Sequence, residues 1–426
     1  MLRAVAFVVL TAMPVSGWGW LKLPLRAGQR PVGTGSLAVR AAAEGPGNVS
    51  YLDPRSGVRY PLSTPRWCGE NANCGEGPAP LLLTDLPGIT RKDIRSDVRS
   101  LWRYSKALPF VPDEVISMGE GCTPLVPREI AGCRALLKCE WFMPTGSFKD
   151  RGASVMLSLL RAQGVTHVLE DSSGNGGAAI ASYAAAGGMR AKILVPASTS
   201  PAKTVAARAA GAEIELVPGS RQDCADEALR QSRDIFYASH NWHPFFLQGT
   251  KTLAYELWED LGFAAPDNVI VPCGAGSNIL GLSIGFGELL RSGAIDKVPR
   301  LFAAQPANCA PIARAFMLEP PVDATPTIAE GTAISQPVRS PEVLAALKES
   351  SGGAVMLSET EIGDGTLLLA RTGIYVEPTC GQAAAALAQL VAAGSITPDE
   401  TTVVILTGTG IKATPRIADL MGLDLD

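Results

Sequence analysis

From about residue 150 onward the chain alternates two hydrophobic patterns. The runs "THVLEDSS", "AKILVPAS", "AEIELVPG", "NVIVPCGAG", "RLFAAQP" and "TTVVILTGTG" are short, apolar and closed by small or polar residues, which predicts buried strands. Between them, "RGASVMLSLLRAQG", "GGAAIASYAAAGG" and "TLAYELWEDLG" carry apolar residues at helical spacing. Strand, loop and helix in repetition predict an α/β fold, a mainly parallel sheet covered on both faces. Ligands of such sheets bind beyond the carboxyl ends of the strands. Three of the predicted strand ends carry loops of unusual chemistry, and a fourth loop opens the first helix.

The pattern changes toward the N-terminus. Residues 52–80 are rich in Pro and Gly and predict irregular structure. "MLRAVAFVVLTAMPVSGWGW" has one Arg, an apolar run too short to span a membrane, then small residues, which is a secretory signal pattern. The stretch to Ala43 holds Lys22, Arg26, Arg30 and Arg40, and the first acid of the chain is Glu44. A basic, acid-free stretch reads as a transit peptide. Residues 1–45 are therefore expected to be a targeting segment of signal plus transit peptide, like the address used by algae whose plastids sit behind extra membranes. Mitochondrial import is the competing reading. Nine cysteines without framework spacing fit free thiols in a reducing compartment, which a plastid stroma would be. A net charge of −4 with no basic block argues against a nucleic-acid partner, and no membrane association is expected of the mature form.

Lys149 stands in "PTGSFKDRGA", between the breakers Pro144 and Gly146 and a helix start. "DSSGNGGAA" follows a strand and frees backbone N–H groups at a helix N-terminus, where an anion is favoured; Asn175 there is a hydrogen-bond donor, or else a helix cap in a tight turn. "PCGAGSNILG" can present the N–H groups of Gly274, Ala275, Gly276, Ser277 and Asn278 to a phosphate. It lacks the lysine of a nucleotide P-loop and the spacing of a dinucleotide fingerprint. "LTGTGIK" closes the last strand with a neutral hydroxyl, Thr407 or Thr409, or is a plain turn. An amine, a phosphate cradle, a side-chain amide and a neutral hydroxyl are together what pyridoxal phosphate requires.

These motifs resemble those of fold-type II pyridoxal phosphate enzymes, and specifically threonine synthase and its relatives. "LWRYSKALP", "GEGCTPLVP", "TIAEGTAI" and "GIYVEPT" resemble that group in the same order, over roughly residues 50–420. The resemblance implies two doubly wound parallel-sheet domains, tryptophan synthase β-like, with the cofactor in the cleft between them. Residues 46–100 would be a degenerate zinc-ribbon-like segment, and 101–426 the catalytic region with a smaller α/β subdomain inserted at about 165–250. It implies Lys149 as the Schiff-base lysine, Asn175 as the partner of the ring oxygen, Gly274 to Asn278 on the phosphate, and Thr407 at the pyridine nitrogen. Ser172, Ser173, Gly176 and Phe246 would border a small amino-acid substrate. The assembly it admits is a homodimer.

Two departures qualify what the resemblance implies. Relatives carry two cysteine pairs near the start, whereas here only Cys68 and Cys74 stand there, without a nearby histidine among His167, His240 and His243; no structural zinc is expected. The second departure concerns the substrate. Threonine synthase turns O-phosphohomoserine and water into threonine and phosphate, and its relatives carry an Arg at the position of Phe246, a Thr at Gly176 and an Asn at Ala275. A dianion needs charged or multiple donors; Trp242, Phe245 and Phe246 suggest a drier pocket, or else helix-packing core. The resemblance thus implies a lyase with α-proton removal by Lys149, either threonine synthase or an enzyme performing β-elimination or β-replacement on another amino acid: a Ser/Thr dehydratase, or a diaminopropionate ammonia-lyase-like or cysteate synthase-like enzyme.

Overall fold

The computed structural model describes residues 49–70 and 78–424; the targeting segment expected at 1–45 lies outside them. Six strands form the larger sheet, in the order Gly353–Leu357, Arg300–Pro306, Asn268–Pro272, Thr402–Leu406, Cys133–Cys139 and Leu125–Ile130. All neighbours are parallel except the last pair. Every residue of Asn268–Pro272 and Thr402–Leu406 is buried, as a continuous apolar run flanked by helices on both faces requires. Alternate residues feed opposite faces. Val269, Val271, Val403 and Ile405 join a core with the Thr252–Asp260 and Ser277–Arg291 helices. Ile270, Val404 and Leu406 join another with the Glu359–Arg371 and Pro378–Ala392 helices.

A second, wholly parallel sheet runs Glu213–Val217, Arg190–Pro196, His167–Glu170, Phe236–Tyr237. Val168, Ile193 and Val195 face the Lys149–Ala162 and Asn175–Ala186 helices. Leu169, Leu194 and Tyr237 meet Cys224 and Ala228 of the Arg221–Gln231 helix on the other side.

Two elements differ from the sequence reading. The stretch read as irregular between residues 52 and 80 takes part in a three-stranded antiparallel sheet, Arg59–Pro61, Ser50–Leu52 and Leu82–Leu83. Its strands are too short to display a period, and its anchor is tertiary: Tyr51 is fully buried in the main core and its ring packs 5.5 Å from that of Phe245. The other is the hairpin that precedes Lys149. Ala131 and Gly132 form its two-residue turn with φ of 50° and 76°, the mirror-image turn whose twist matches paired strands. It delivers Cys133–Cys139 to the sheet as the parallel neighbour of Thr402–Leu406, and so places the following loop, with Lys149, at the same sheet end as Thr407.

Candidate active site

Lys149 is the first residue of its helix. Its loop turns at Gly146, with φ of 76°, where the N–H meets Met143 O at 2.8 Å, and Asp150 accepts from Thr145 N at 2.7 Å. The loop is stitched to the end of the Thr402–Leu406 strand: Phe148 N donates to Thr407 O at 3.0 Å and Thr409 N to Gly146 O at 3.1 Å. Lys149 Nζ lies 4.5 Å from the ring centre of Phe148 and 5.7 Å from that of Phe246. Removal from water favours the neutral amine and lowers its pKa to about 8; Glu170 and Glu377 oppose that shift and Arg221 adds to it.

Asn175 begins the helix after the His167–Glu170 strand and reaches across to the larger sheet. Its Nδ2 donates to both carboxylate oxygens of Glu377, at 3.3 and 3.2 Å, while Lys412 Nζ donates to its Oδ1 at 3.0 Å. Lys412 therefore fixes which end of the amide is the donor. Neither Lys412 nor Glu377 was weighed in the sequence, although both stand inside motifs recognised there, "LTGTGIK" and "GIYVEPT". Gly408 makes room for Glu377: a Cβ at Gly408 would lie 2.4 Å from its carboxyl carbon.

The glycine loop follows the Asn268–Pro272 strand. Gly274 and Ala275 retain exposure, while Gly276, Ser277 and Asn278 are buried at the start of the next helix. Gly276 has φ of 88°, and a Cβ there would meet Val343 at 2.3 Å, so no other residue fits. Both amide atoms of Asn278 are sealed from solvent without a hydrogen-bond partner among the described residues, as is Ser147 Oγ. Thr407 is buried, its hydroxyl 3.6 Å from Cys380 Sγ, which also accepts from Thr407 N at 3.1 Å and Gly408 N at 3.4 Å. Burial pushes the Cys380 thiol up to about 12, so it acts as a neutral packing and hydrogen-bonding group.

The residues expected around the substrate separate. Ser172 is buried, Ser173 half-buried, and Gly176 sits where a Cβ would come within 2.9 Å of both Ser172 Oγ and the His240 ring. Phe246 is fully buried against Gly152, whose added Cβ would lie 2.3 Å from the ring, and its face is turned to Lys149. For Phe245 and Trp242, which the sequence leaves between a drier pocket and packing core, the packing core holds. Phe245 stacks among Tyr51, Phe110 and His243, and Trp242 lies 5.5 Å from Trp67. Successive residues of one helix point in different directions, so only Phe246 reaches the cleft side.

An acidic cluster completes the site. Glu170, at the carboxyl end of the His167–Glu170 strand, accepts from His240 N at 3.0 Å and faces His240 Nδ1 at 3.0 Å. Asp171 accepts from Tyr237 Oη at 2.7 Å. Desolvation raises Glu170 to about 7 and Asp171 to about 6, and holds His240 well below its ordinary range. A glutamate ending "HVLE" was the signal in the sequence; its pairing with His240, 70 residues on, was not readable.

Four loops from four strand ends thus bring together an amine, a half-buried amide, a glycine cradle and a buried hydroxyl. A family model described as pyridoxal-phosphate dependent enzyme matches residues 116–408. The chain belongs to the pyridoxal-phosphate-dependent enzyme family. The threonine synthase of Methanocaldococcus jannaschii is 35% identical over 338 residues, 76% of this chain and 83% of that protein. That of Methanosarcina acetivorans is 33% identical over 345 residues, 78% and 85% of the two chains. Among solved structures, maize serine racemase superposes with a TM-score of 0.60 at 23% identity, over 70% of this chain and 92% of that one, a likeness of fold. The fold is type II and the cofactor is pyridoxal phosphate.

The residues present fit that group. The unpartnered Asn278 amide and Ser147 hydroxyl, the cradle closed to any side chain at Gly276, and the low-pKa amine of Lys149 are each accounted for by it. Lys149 would hold its aldehyde carbon, Gly274 to Asn278 its phosphate, Asn175 its ring oxygen and Thr407 its ring nitrogen. Bound there, the cofactor supplies an electron sink that acidifies the α-proton of an amino acid. Lys149 would be the amine that takes that proton.

Proposed function

We propose that this enzyme is a lyase that removes a phosphate-free leaving group from Cβ of a small amino acid, by β-elimination or β-replacement. The observation that carries this reading is what surrounds Lys149: the fully buried Phe246 ring stands where the resemblance puts an arginine, and the carboxyl groups of Glu170 and Glu377 act on the lysine, with Arg221 and, bound to Asn175, Lys412 as the nearby cations. A phosphate dianion brought beside two carboxylates would meet repulsion and lose its hydration without enough donors. A neutral hydroxyl or amine leaving group avoids both costs.

The second reading is threonine synthesis from O-phosphohomoserine. It is favoured by the names of the relatives above and by Arg221, whose guanidinium reaches across to Ala333 O at 3.4 Å and would be a charged donor for a phosphate. One assay separates the two: phosphate release from O-phosphohomoserine, measured beside 2-oxo acid and ammonia release from serine, threonine and 2,3-diaminopropionate. The first reading expects turnover in the second group alone. Phosphate release with no ammonia would overturn it.

A further inference from the structure

Lys149 removes the α-proton, but a hydroxide or amide ion is a poor leaving group unless it is protonated as it departs. Beside Lys149 stands a histidine coupled to a carboxyl group of raised pKa. His240 is 7% exposed. Its Nδ1 and its backbone N–H are both engaged by the same fully buried carboxyl group, Glu170, at 3.0 Å each, which fixes the position of the ring. Nε2 has no hydrogen-bond partner among the described residues and is not sealed from solvent, in contrast to Nε2 of His243. The ring stands edge-on to Phe246 with centroids 5.7 Å apart, and Phe246 is the residue whose other contact is Lys149. On its remaining side lies Gly176: any Cβ there would come 2.9 Å from His240 Cε1, so the glycine next to Asn175 keeps the imidazole edge clear.

We propose that His240, positioned by Glu170, is the second acid–base group of the site and protonates the leaving group through Nε2. The inference rests on the phosphate-free reading above. As Lys149 takes the α-proton, the electron pair of Cα–H becomes the second Cα–Cβ bond. The Cβ–X bond breaks with its pair going to X, and the proton of His240 Nε2 joins X, which leaves as water or ammonia. Desolvation raises Glu170 to about 7 and, with Lys149, holds His240 neutral, so the proton enters from Glu170: its carboxyl proton passes to Nδ1 as Nε2–H passes to X, and the imidazole stays neutral throughout. The dyad recovers one proton from solvent. The product with its new double bond is hydrolysed to a 2-oxo acid and ammonia. The substrate class that follows is a small amino acid with a hydroxyl or amino group on Cβ.

The test uses the holoenzyme and compares leaving groups. His240→Asn is assayed on serine and on β-chloroalanine, with α-proton exchange in D2O followed by NMR. Chloride needs no proton to depart. The proposal expects elimination from serine to fall at least a hundredfold, elimination from β-chloroalanine to fall less than fivefold, and α-proton exchange to stay within about threefold. Glu170→Gln, which leaves the imidazole in place, should lower serine turnover at least tenfold and shift the high-pH limb of its profile, with β-chloroalanine spared. This second variant keeps the test valid if His240→Asn loses its cofactor absorbance. Equal loss on both substrates in the Gln variant, or no loss on serine in either, overturns the dyad alone. A wild type inert on serine, threonine and diaminopropionate but releasing phosphate overturns the parent reading and this one with it.

Discussion

Arg151 Nε and Nη2 meet the two oxygens of Glu140 at 2.7 and 2.8 Å, with both side chains wholly removed from solvent. Arg151 Nη1 continues to Glu256 at 2.9 Å, which also accepts from Lys138 at 2.7 Å. Two residues from Lys149, the start of its helix is thereby bound to the residue that follows the Cys133–Cys139 strand and to the Thr252–Asp260 helix. A bidentate pair constrains direction as well as distance. Arg151→Leu leaves Glu140 without its partner in the interior. The expected loss is about 3–5 kcal/mol, read as a fall in the thermal midpoint of the holoenzyme.

Lys412 holds the Asn175 amide by its oxygen while Glu377 holds it by its nitrogen, and removal of Lys412 loosens that clamp. Lys412→Met should weaken pyridoxal phosphate binding roughly tenfold, about 1.4 kcal/mol, and shift the visible absorbance of the bound cofactor. Lys412→Arg should recover part of both. Titration of the apo form with the cofactor measures the first and its spectrum the second; an unchanged spectrum in Lys412→Met would contradict the orienting role.

The amine of Lys149 is lowered to about 8 because burial strips the ammonium of its hydration. Its nucleophilic neutral form therefore gains population as pH rises toward and past that value. The rate at which apo-enzyme captures pyridoxal phosphate should climb between pH 6 and 8 and level off above, followed by the growth of the visible band. Lys149→Ala should not develop that band at any pH.

Gly152 and Phe246 are in mutual contact with no room between them. A Cβ at residue 152 would lie 2.3–2.4 Å from three ring atoms. Gly152→Ala is expected to cost about 1–3 kcal/mol by overpacking and to disturb Lys149 through the displaced ring. A lowered thermal midpoint together with a changed cofactor spectrum would register both effects.

Much of the site was legible because it is local. "PTGSFKDRGA", "SSGN", "GAGSN" and "LTGTGIK" each pack a turn, a small-residue cradle and a helix start into a few positions, and chemistry of that kind is written in consecutive residues. Lys412 and Glu377 lay inside recognised motifs, yet their roles depend on reaching Asn175 from 237 and 202 residues away. Phe246 could be told from Phe245 only once their helix was oriented against Gly152.

The sequence by itself determined the class of fold and the kind of cofactor. Continuous apolar strands, alternating with helices and ending in polar loops, predict a sheet covered on both faces, and the loops then fall at the carboxyl ends of the strands. The tertiary structure alone decided what surrounds the lysine. Glu170 meets His240, and Arg151 meets Glu140, because two sheets and their shared helices bring distant segments together. A buried charge takes its pKa and its partners from that three-dimensional neighbourhood rather than from its neighbours along the chain.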